Sequence, residues 1–375
     1  MKYKRMPIEI ESPEQMGYDT IKNNLSESSY TDTAFGDIAG LDIDLNQLIL
    51  CYGSHAGHEG LREFLAKESP NLHPDDVLLT MGAAAGLFIV ATSLLEQGDE
   101  LVVVRPNYAT NIETPRAIGA TLRLIDLRFE DGFSLDLKAV EKAVTGKTKY
   151  ISVTHPHNPT GACLSSADME ALVAIAEKNN TLLLVDETYR EMVFGEKLPI
   201  AASFSERVIS ISSLSKTYGL PGIRIGWMIC RNRQLMNTFL AAKEQIHICG
   251  SVLDEEVAFR YLQQKDLHIH RIRKDIQEKF GIVKDWMRGQ DGFEWVEPQG
   301  GVVCFPRIAR PEDVDIDLFY EILLKKYGTY AGPGHWFDMP RHYMRIGFGW
   351  PDREQLMDGL NGLSNSLKEA QKKIL

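Results

Sequence analysis

The sequence predicts an α/β protein of two domains, the larger a three-layer arrangement with helices on both faces of a mainly parallel seven-stranded sheet, the smaller also α/β. Seven short apolar runs between residues 77 and 230 alternate with helical patterns, as strands and helices do in layered α/β folds. Several runs are apolar at nearly every position, which suits strands buried on both faces. The chain's 375 residues also exceed the roughly 250 to 300 at which a single core stops growing.

In order, the runs are Val77–Thr80, Leu101–Val104, Thr121–Ile125, Tyr150–Thr154, Thr181–Val185, Val208–Ile211 and Ile225–Cys230. Ala83–Gln97 and Ala167–Lys178 are examples of the intervening helices. Beyond about residue 232 the texture changes to long charged helical stretches such as Asp266–Arg288. Short strand-like runs follow at Gly301–Phe305 and Tyr343–Ile346, and a last helix spans about Asp352–Lys373. The expected large domain covers residues 46–255; residues 1–45 and 256–375 form the smaller one. No internal repeat or extended linker separates them, so the two are expected to pack together.

With 41 Lys plus Arg against 52 Asp plus Glu, the formal net charge is −11. This argues against nucleic-acid or anionic-membrane partners, which need a basic surface. Cys51, Cys163, Cys230, Cys249 and Cys304 are odd in number and never in CxxC spacing, so neither a disulfide framework nor a zinc site is expected, and buried free thiols are. The charged start is followed by no apolar stretch, and no window approaches about 18 apolar residues. A cytoplasmic location is the expectation.

In open α/β sheets ligands bind beyond the carboxyl ends of the strands, which directs attention to the residues after each run. Lys216, in Ser213-Leu-Ser-Lys216-Thr-Tyr-Gly219, is placed to form an imine with a carbonyl if its amine is neutral; it reads equally as a surface lysine in a turn. Asp186 follows four apolar residues, where a carboxylate needs a cationic or donor partner, or serves as a helix N-cap. Tyr189 faces the same side if a turn begins there. His155-Pro-His-Asn158-Pro159 presents Asn158 on a rigid loop in which one proline can be cis; HxH without a third ligand does not make a metal site. Gly82, Ala83 and Ala84 stand where backbone N–H groups converge on an anion, and Tyr108 offers an aromatic face at the same rim. Neither GxGxxG nor a P-loop is present, since Glu141 occupies the upstream glycine position of Thr145-Gly-Lys-Thr148.

Together, Ser-x-Ser-Lys with an Arg eight residues after the Lys, His-Asn-Pro-Thr-Gly, Asp-Glu-x-Tyr and a late Met-Arg-Ile-Gly resemble the class I and II aminotransferases, which have the fold-type I architecture and use pyridoxal phosphate. The matching positions, from Tyr52 to Arg345, span most of the chain. The resemblance implies that Lys216 holds the cofactor as a Schiff base and moves the proton at the substrate α-carbon. Asp186 would pair with the pyridine nitrogen, Asn158 and Tyr189 would bond the ring's phenolic oxygen, and Tyr108 would stack on the ring. Gly82, Ala83, Ala84, Ser213 and Arg224 would hold the phosphate, joined by Tyr52 from the neighbouring subunit of a homodimer with shared active sites. Arg345, with Asn158 beside it, would bind the substrate α-carboxylate. No metal is implied.

The departures bear on specificity. Ser28-Ser-Tyr30 replaces the family's more common Asn-Pro after Asn24-Leu-Ser-Glu27. Ala83 and Ala84 carry no hydroxyl, and no second arginine has a context that marks it for a distal carboxylate. His335-Trp336-Phe337 and Phe348-Gly-Trp350 flank Arg345 and are candidates for the side-chain pocket, with core packing the alternative for Trp350. The function implied is transfer of an amino group from an α-amino acid to a 2-oxo acid by a ping-pong route. The alternatives are β-elimination, β-replacement or cyclisation with the same cofactor, and a non-enzymatic regulator, which the intact Lys216 disfavours.

Overall fold

A computed structural model describes residues 1–38, 41, 43, 44 and 46–371. In chain order the strands are β1 (Asn23–Leu25), β2 (Val77–Thr80), β3 (Glu100–Arg105), β4 (Thr121–Asp126), β5 (Thr148–Thr154), β6 (Leu182–Asp186), β7 (Val208–Ser213), β8 (Gly226–Ile229), β9 (Phe293–Glu294), β10 (Val303–Cys304), β11 (Arg307–Ile308), β12 (Thr329–Pro333) and β13 (Met344–Gly347). All seven expected runs of the larger sheet are strands, in the spatial order β2-β8-β7-β6-β5-β3-β4. Neighbours from β7 through β4 are parallel, whereas β8 runs antiparallel to both β7 and β2.

Apolar sequence on both faces of these strands is matched by burial on both faces: Leu183, Leu184, Val185, Ile209 and Ile211 are all buried. Helices α1 (Gly82–Leu94), α2 (Ser166–Lys178), α3 (Lys265–Arg288) and α4 (Arg353–Glu369) lie where the sequence places helical patterns. Two begin with capping boxes, Ser165 with Asp168 and Asp352 with Gln355, which satisfy two otherwise orphaned donors each. The last helix ends at Glu369, short of the expected Lys373: Ala370 is its C-cap and Gln371 forms a bridge with Val314, and residues 372 and 373 of the expected span lie outside the described residues.

A second sheet, ordered β1-β12-β13-β10, joins the N-terminal segment to the C-terminal part of the chain. One core runs from this sheet, through Leu25 and Ile346, to Tyr189, Leu214 and Trp227 beside the large sheet. Among the described residues no helix is long and apolar enough to cross a membrane. The cysteines differ from expectation: all five are free, but Cys51 is exposed and Cys163 and Cys249 are half-buried, leaving only Cys230 and Cys304 inside. The outer three lie on connecting segments, which run over the surface.

Candidate active site

The carboxyl ends of three adjacent parallel strands converge on one cavity. Asn158 lies on the loop after β5, Asp186 is the last residue of β6, and Ser213 ends β7 just before Lys216. The cavity measures about 270 Å3, and Ala83, Ala84, Tyr108, Asn158, Asp186, Tyr189, Ser213, Lys216, Arg224 and Arg345 all line it. Gly82 lies directly behind Arg224, while Tyr52 stands elsewhere, 83% exposed.

Within the cavity, the Lys216 amine has no hydrogen-bond partner among the described residues. Its backbone is fixed, since the carbonyl accepts from Tyr30 N at 2.8 Å. Asp186 accepts from the Thr188 N–H at 3.1 Å and hydroxyl at 2.6 Å, both on Oδ1. These bonds close a local turn rather than cap a helix, the alternative the sequence left open, since the next helical turn begins only at Arg190, and Oδ2 keeps no protein donor among the described residues. Burial pushes this carboxyl's pKa up, against the two Thr188 bonds, as expected of a desolvated acid without a cation beside it. Thr188 O accepts in turn from Thr217 Oγ1 at 2.7 Å, which ties the acid to the residue after Lys216.

At one end, α1 starts without a side-chain cap, so its first N–H groups are free for an anion. Gly82 has φ +77°, a backbone conformation that favours glycine, and a Cβ there would lie 2.7 Å from Arg224 Nη2 and make the guanidinium shift. Arg224 itself sits at φ +51°, with Nη1 donating to Pro221 O at 2.8 Å and Ser215 Oγ at 3.3 Å. It has no carboxylate partner among the described residues. The loop after β5 carries two cis prolines, Pro156 and Pro159, and a third, Pro106, precedes Tyr108.

At the other end, Arg345 on β13 is only 4% exposed. It donates to Asn158 Oδ1 at 3.3 Å and to the Ser26 carbonyl, rests 5.1 Å from the Phe337 ring centre, and leaves Nε unpartnered. No carboxylate pairs with it among the described residues, and burial lowers its pKa. A buried, unpaired guanidinium facing a cavity is suited to a carboxylate that arrives with the ligand.

Several assignments change in detail. Tyr189 is buried with its hydroxyl donating to the Ser28 backbone carbonyl at 2.8 Å, whereas the sequence placed that hydroxyl on the ring's phenolic oxygen. Trp336 lines the cavity, but His335 and Trp336 Nε1 both bind Glu11, at 2.9 and 2.7 Å. Phe348 is core, and Trp350 stacks on Tyr18 and donates to Asp32. Burial drops His155 and His157 to about 4, and no group of three metal-binding side chains occurs among the described residues. The sequence reading missed a whole wall, Ile8, Glu9, Ser12, Pro13 and Glu14; beside it lie Ser26, Glu27 and Ser28, from the segment that the sequence did single out. The turns that carry it, Pro7–Ile10 and Pro13–Met16, are too short for periodicity to reveal; only the prolines at their starts signal them.

A family model described as aminotransferase class I and II matches residues 20–361. The chain belongs to this family. Among curated relatives, the capreomycidine synthase of Streptomyces vinaceus is 31% identical over 93% of this chain and 91% of its own length. The aspartate aminotransferase of Thermotoga maritima is 28% identical over 84% of this chain and 83% of its own length. Among solved structures, a PLP-dependent aminotransferase from Streptococcus suis has TM-score 0.91 at 28% identity, covering 100% of both chains. The PLP-dependent cyclase OrfR has TM-score 0.89 at 28% identity, covering 98% of each.

This class I and II aminotransferase family member has the fold-type I architecture and uses pyridoxal phosphate. The residues present fit that cofactor. An uncapped helix start beside an unpaired arginine suits the phosphate, and a buried carboxylate with one oxygen free suits a protonated ring nitrogen.

Proposed function

We propose that the protein transfers the amino group of an α-amino acid to a 2-oxo acid by a ping-pong route. The observation that carries this reading is one cavity lined together by the unbonded Lys216 amine, Asp186 and a buried Arg345 that has no counter-ion among the described residues. When bound, pyridoxal phosphate supplies an electron sink that acidifies the α-hydrogen of an attached amino acid. Arg345 clamps the α-carboxylate and, through Asn158 Oδ1, fixes its own plane. Lys216 Nζ would carry the cofactor and then move the proton from the substrate α-carbon to the cofactor's C4′ carbon, and back again for the 2-oxo acid, a general base held next to its carbon acid. Asp186 holds a proton on the ring nitrogen. Asn158, its Oδ1 occupied by Arg345, donates from Nδ2 to the ring's phenolic oxygen. Ser213, Arg224 and the N–H groups of Gly82, Ala83 and Ala84 hold the phosphate.

In this reading residues 46–255 form the cofactor-binding domain, residues 1–45 and 256–375 the smaller one, and the sites are shared across a homodimer. The exposure of Ile49 at 76%, Leu50 at 79% and Tyr52 at 83% supports the dimer, since such a run on one surface segment calls for a covering partner. Five free cysteines are in keeping with a reducing cytoplasm.

A second reading, elimination or cyclisation on the amino-acid side chain, is favoured by the likeness to capreomycidine synthase and to the cyclase OrfR. A single turnover separates the two. Transamination leaves one equivalent of 2-oxo acid and retains the nitrogen on the enzyme when amino acid alone is added; continuous release of ammonia, or of a ring product that keeps its α-nitrogen, establishes the second reading instead. Lys216→Ala is expected to lower turnover roughly 10²- to 10⁴-fold and to abolish borohydride labelling at that position.

A further inference from the structure

We infer that the cavity selects an α-amino acid whose side chain carries a positive charge, an ammonium or guanidinium, received by Glu9, Glu14 and Glu27. This rests on the proposed function in taking Arg345 as the α-carboxylate site. The argument is a balance of charge inside one cavity. Its cations are Lys216, Arg224 and Arg345, and each has a partner once cofactor and substrate carboxylate are in place. Of its anions, Asp186 is matched by the ring nitrogen. Glu9, Glu14 and Glu27 are left; among the described residues no Lys, Arg or His nitrogen lies within 4.0 Å of their carboxylates, while Arg5 Nη2 donates to the Glu9 backbone carbonyl at 3.2 Å and Glu27 lies close enough to Arg345 to work against burial and raise its pKa.

The hydrogen-bond partners of the carboxylates themselves are neutral. Glu9 accepts from the Tyr108 hydroxyl at 3.5 Å and Glu27 from the Tyr18 hydroxyl at 3.4 Å, while the Glu14 carboxylate has no hydrogen bond among the described residues. Tyr18 registers the resulting field, its phenol pKa pushed up first by burial and then by Glu27, Glu14 and Asp32. The independent sign that an ionic ligand belongs here is Arg345, 4% exposed with Nε unpartnered. A ligand that satisfies it brings a carboxylate, and a second carboxylate on the same ligand finds only like charge. A cation finds three acceptors. Like charges facing across a site discriminate as effectively as attraction does.

Spectral titration of the holoenzyme tests this, using the visible band of the bound cofactor to obtain Kd for L-arginine, L-lysine, L-citrulline, L-norleucine and L-glutamate. Arginine or lysine is expected to bind at least about tenfold tighter than its neutral counterpart and than glutamate, the scale of one to three partly screened ion pairs. In E9Q/E14Q/E27Q that preference is expected to fall to within about twofold. Should the triple variant not fold by circular dichroism, E14Q alone and a salt series take its place; salt is expected to weaken the cationic ligand more than its neutral counterpart. Glutamate, citrulline or norleucine binding as tightly as the cationic ligands, or a preference that survives the variant and salt, overturns the inference and leaves the cofactor reading standing. Absence of the visible band and of borohydride labelling at Lys216 overturns both.

Discussion

Asp186 is set against its own ionisation. Burial raises its pKa above the usual 3.8 while Thr188 works the other way through two donors. A carboxyl whose folded-state pKa lies above its unfolded one binds protons more tightly when folded. Stability of the cofactor-free protein therefore falls as pH rises through that interval and stays low at neutrality. Asp186→Asn removes this cost and keeps an oxygen for Thr188. Its expected effect is a cofactor-free protein more stable at pH 7 by on the order of 1 kcal/mol, with the advantage vanishing below about pH 4. Catalysis should drop roughly 10²- to 10⁴-fold because the ring nitrogen loses its partner. Thermal melts of the cofactor-free protein across pH, together with turnover rates, check both halves; a variant that is both less stable and less active at pH 7 would count against the assignment.

At the scale of elements, the phosphate end depends on how closely α1 approaches β8. A Cβ on Gly226 would stand 2.5 Å from the Gly82 carbonyl carbon and 2.7 Å from Ala83 N, backbone atoms that cannot turn aside. Gly226→Ala is expected to cost about 1–3 kcal/mol of stability and to raise the Kd for pyridoxal phosphate by roughly tenfold, since the N–H groups that meet the anion must move. Gly146→Ala, with open space around it, serves as the control. Strand ends explain why so much of the site was legible in sequence. Asp186, Asn158 and Lys216 each follow a run of buried apolar residues, so pattern alone put them on one rim. The wall made by Glu9, Ser12 and Glu14 escaped because a four-residue turn has no repeat to detect, and because its relation to the cavity depends on contacts with His335 and Trp336 more than 300 positions later. The Tyr189 bond to Ser28 O was hidden for the same reason: an acceptor that is a backbone carbonyl leaves no trace in residue type. Antiparallel β8 was also invisible, as its apolar run differs little from those of its parallel neighbours.

For the whole molecule, the division of labour between copies can be tested by mixing. Tyr52 is exposed on its own chain, whereas Lys216 lies in that chain's cavity. If a copy lends Tyr52 to its partner's site, Tyr52→Ala and Lys216→Ala homodimers each carry a defect in both sites, but a mixed dimer carries one intact site. Co-refolding equal amounts should restore activity to about a quarter of the unmutated level, the value for random pairing in a two-fold dimer; no recovery would place Tyr52 outside the shared site. The segment over residues 7–16 has a consequence of a different kind. It joins neither sheet and hangs from few attachments, chiefly buried Ile8 and Pro13 and the Glu11 bonds to His335 and Trp336. In the proposed reading the groups that perform chemistry are fastened to strand ends, where any change disturbs a sheet, whereas Glu9 and Glu14 ride on a strap outside both sheets and only Glu27 of the three acids follows a strand. Such an enzyme can be re-aimed at a new side chain by altering ten residues while its catalytic centre stays untouched.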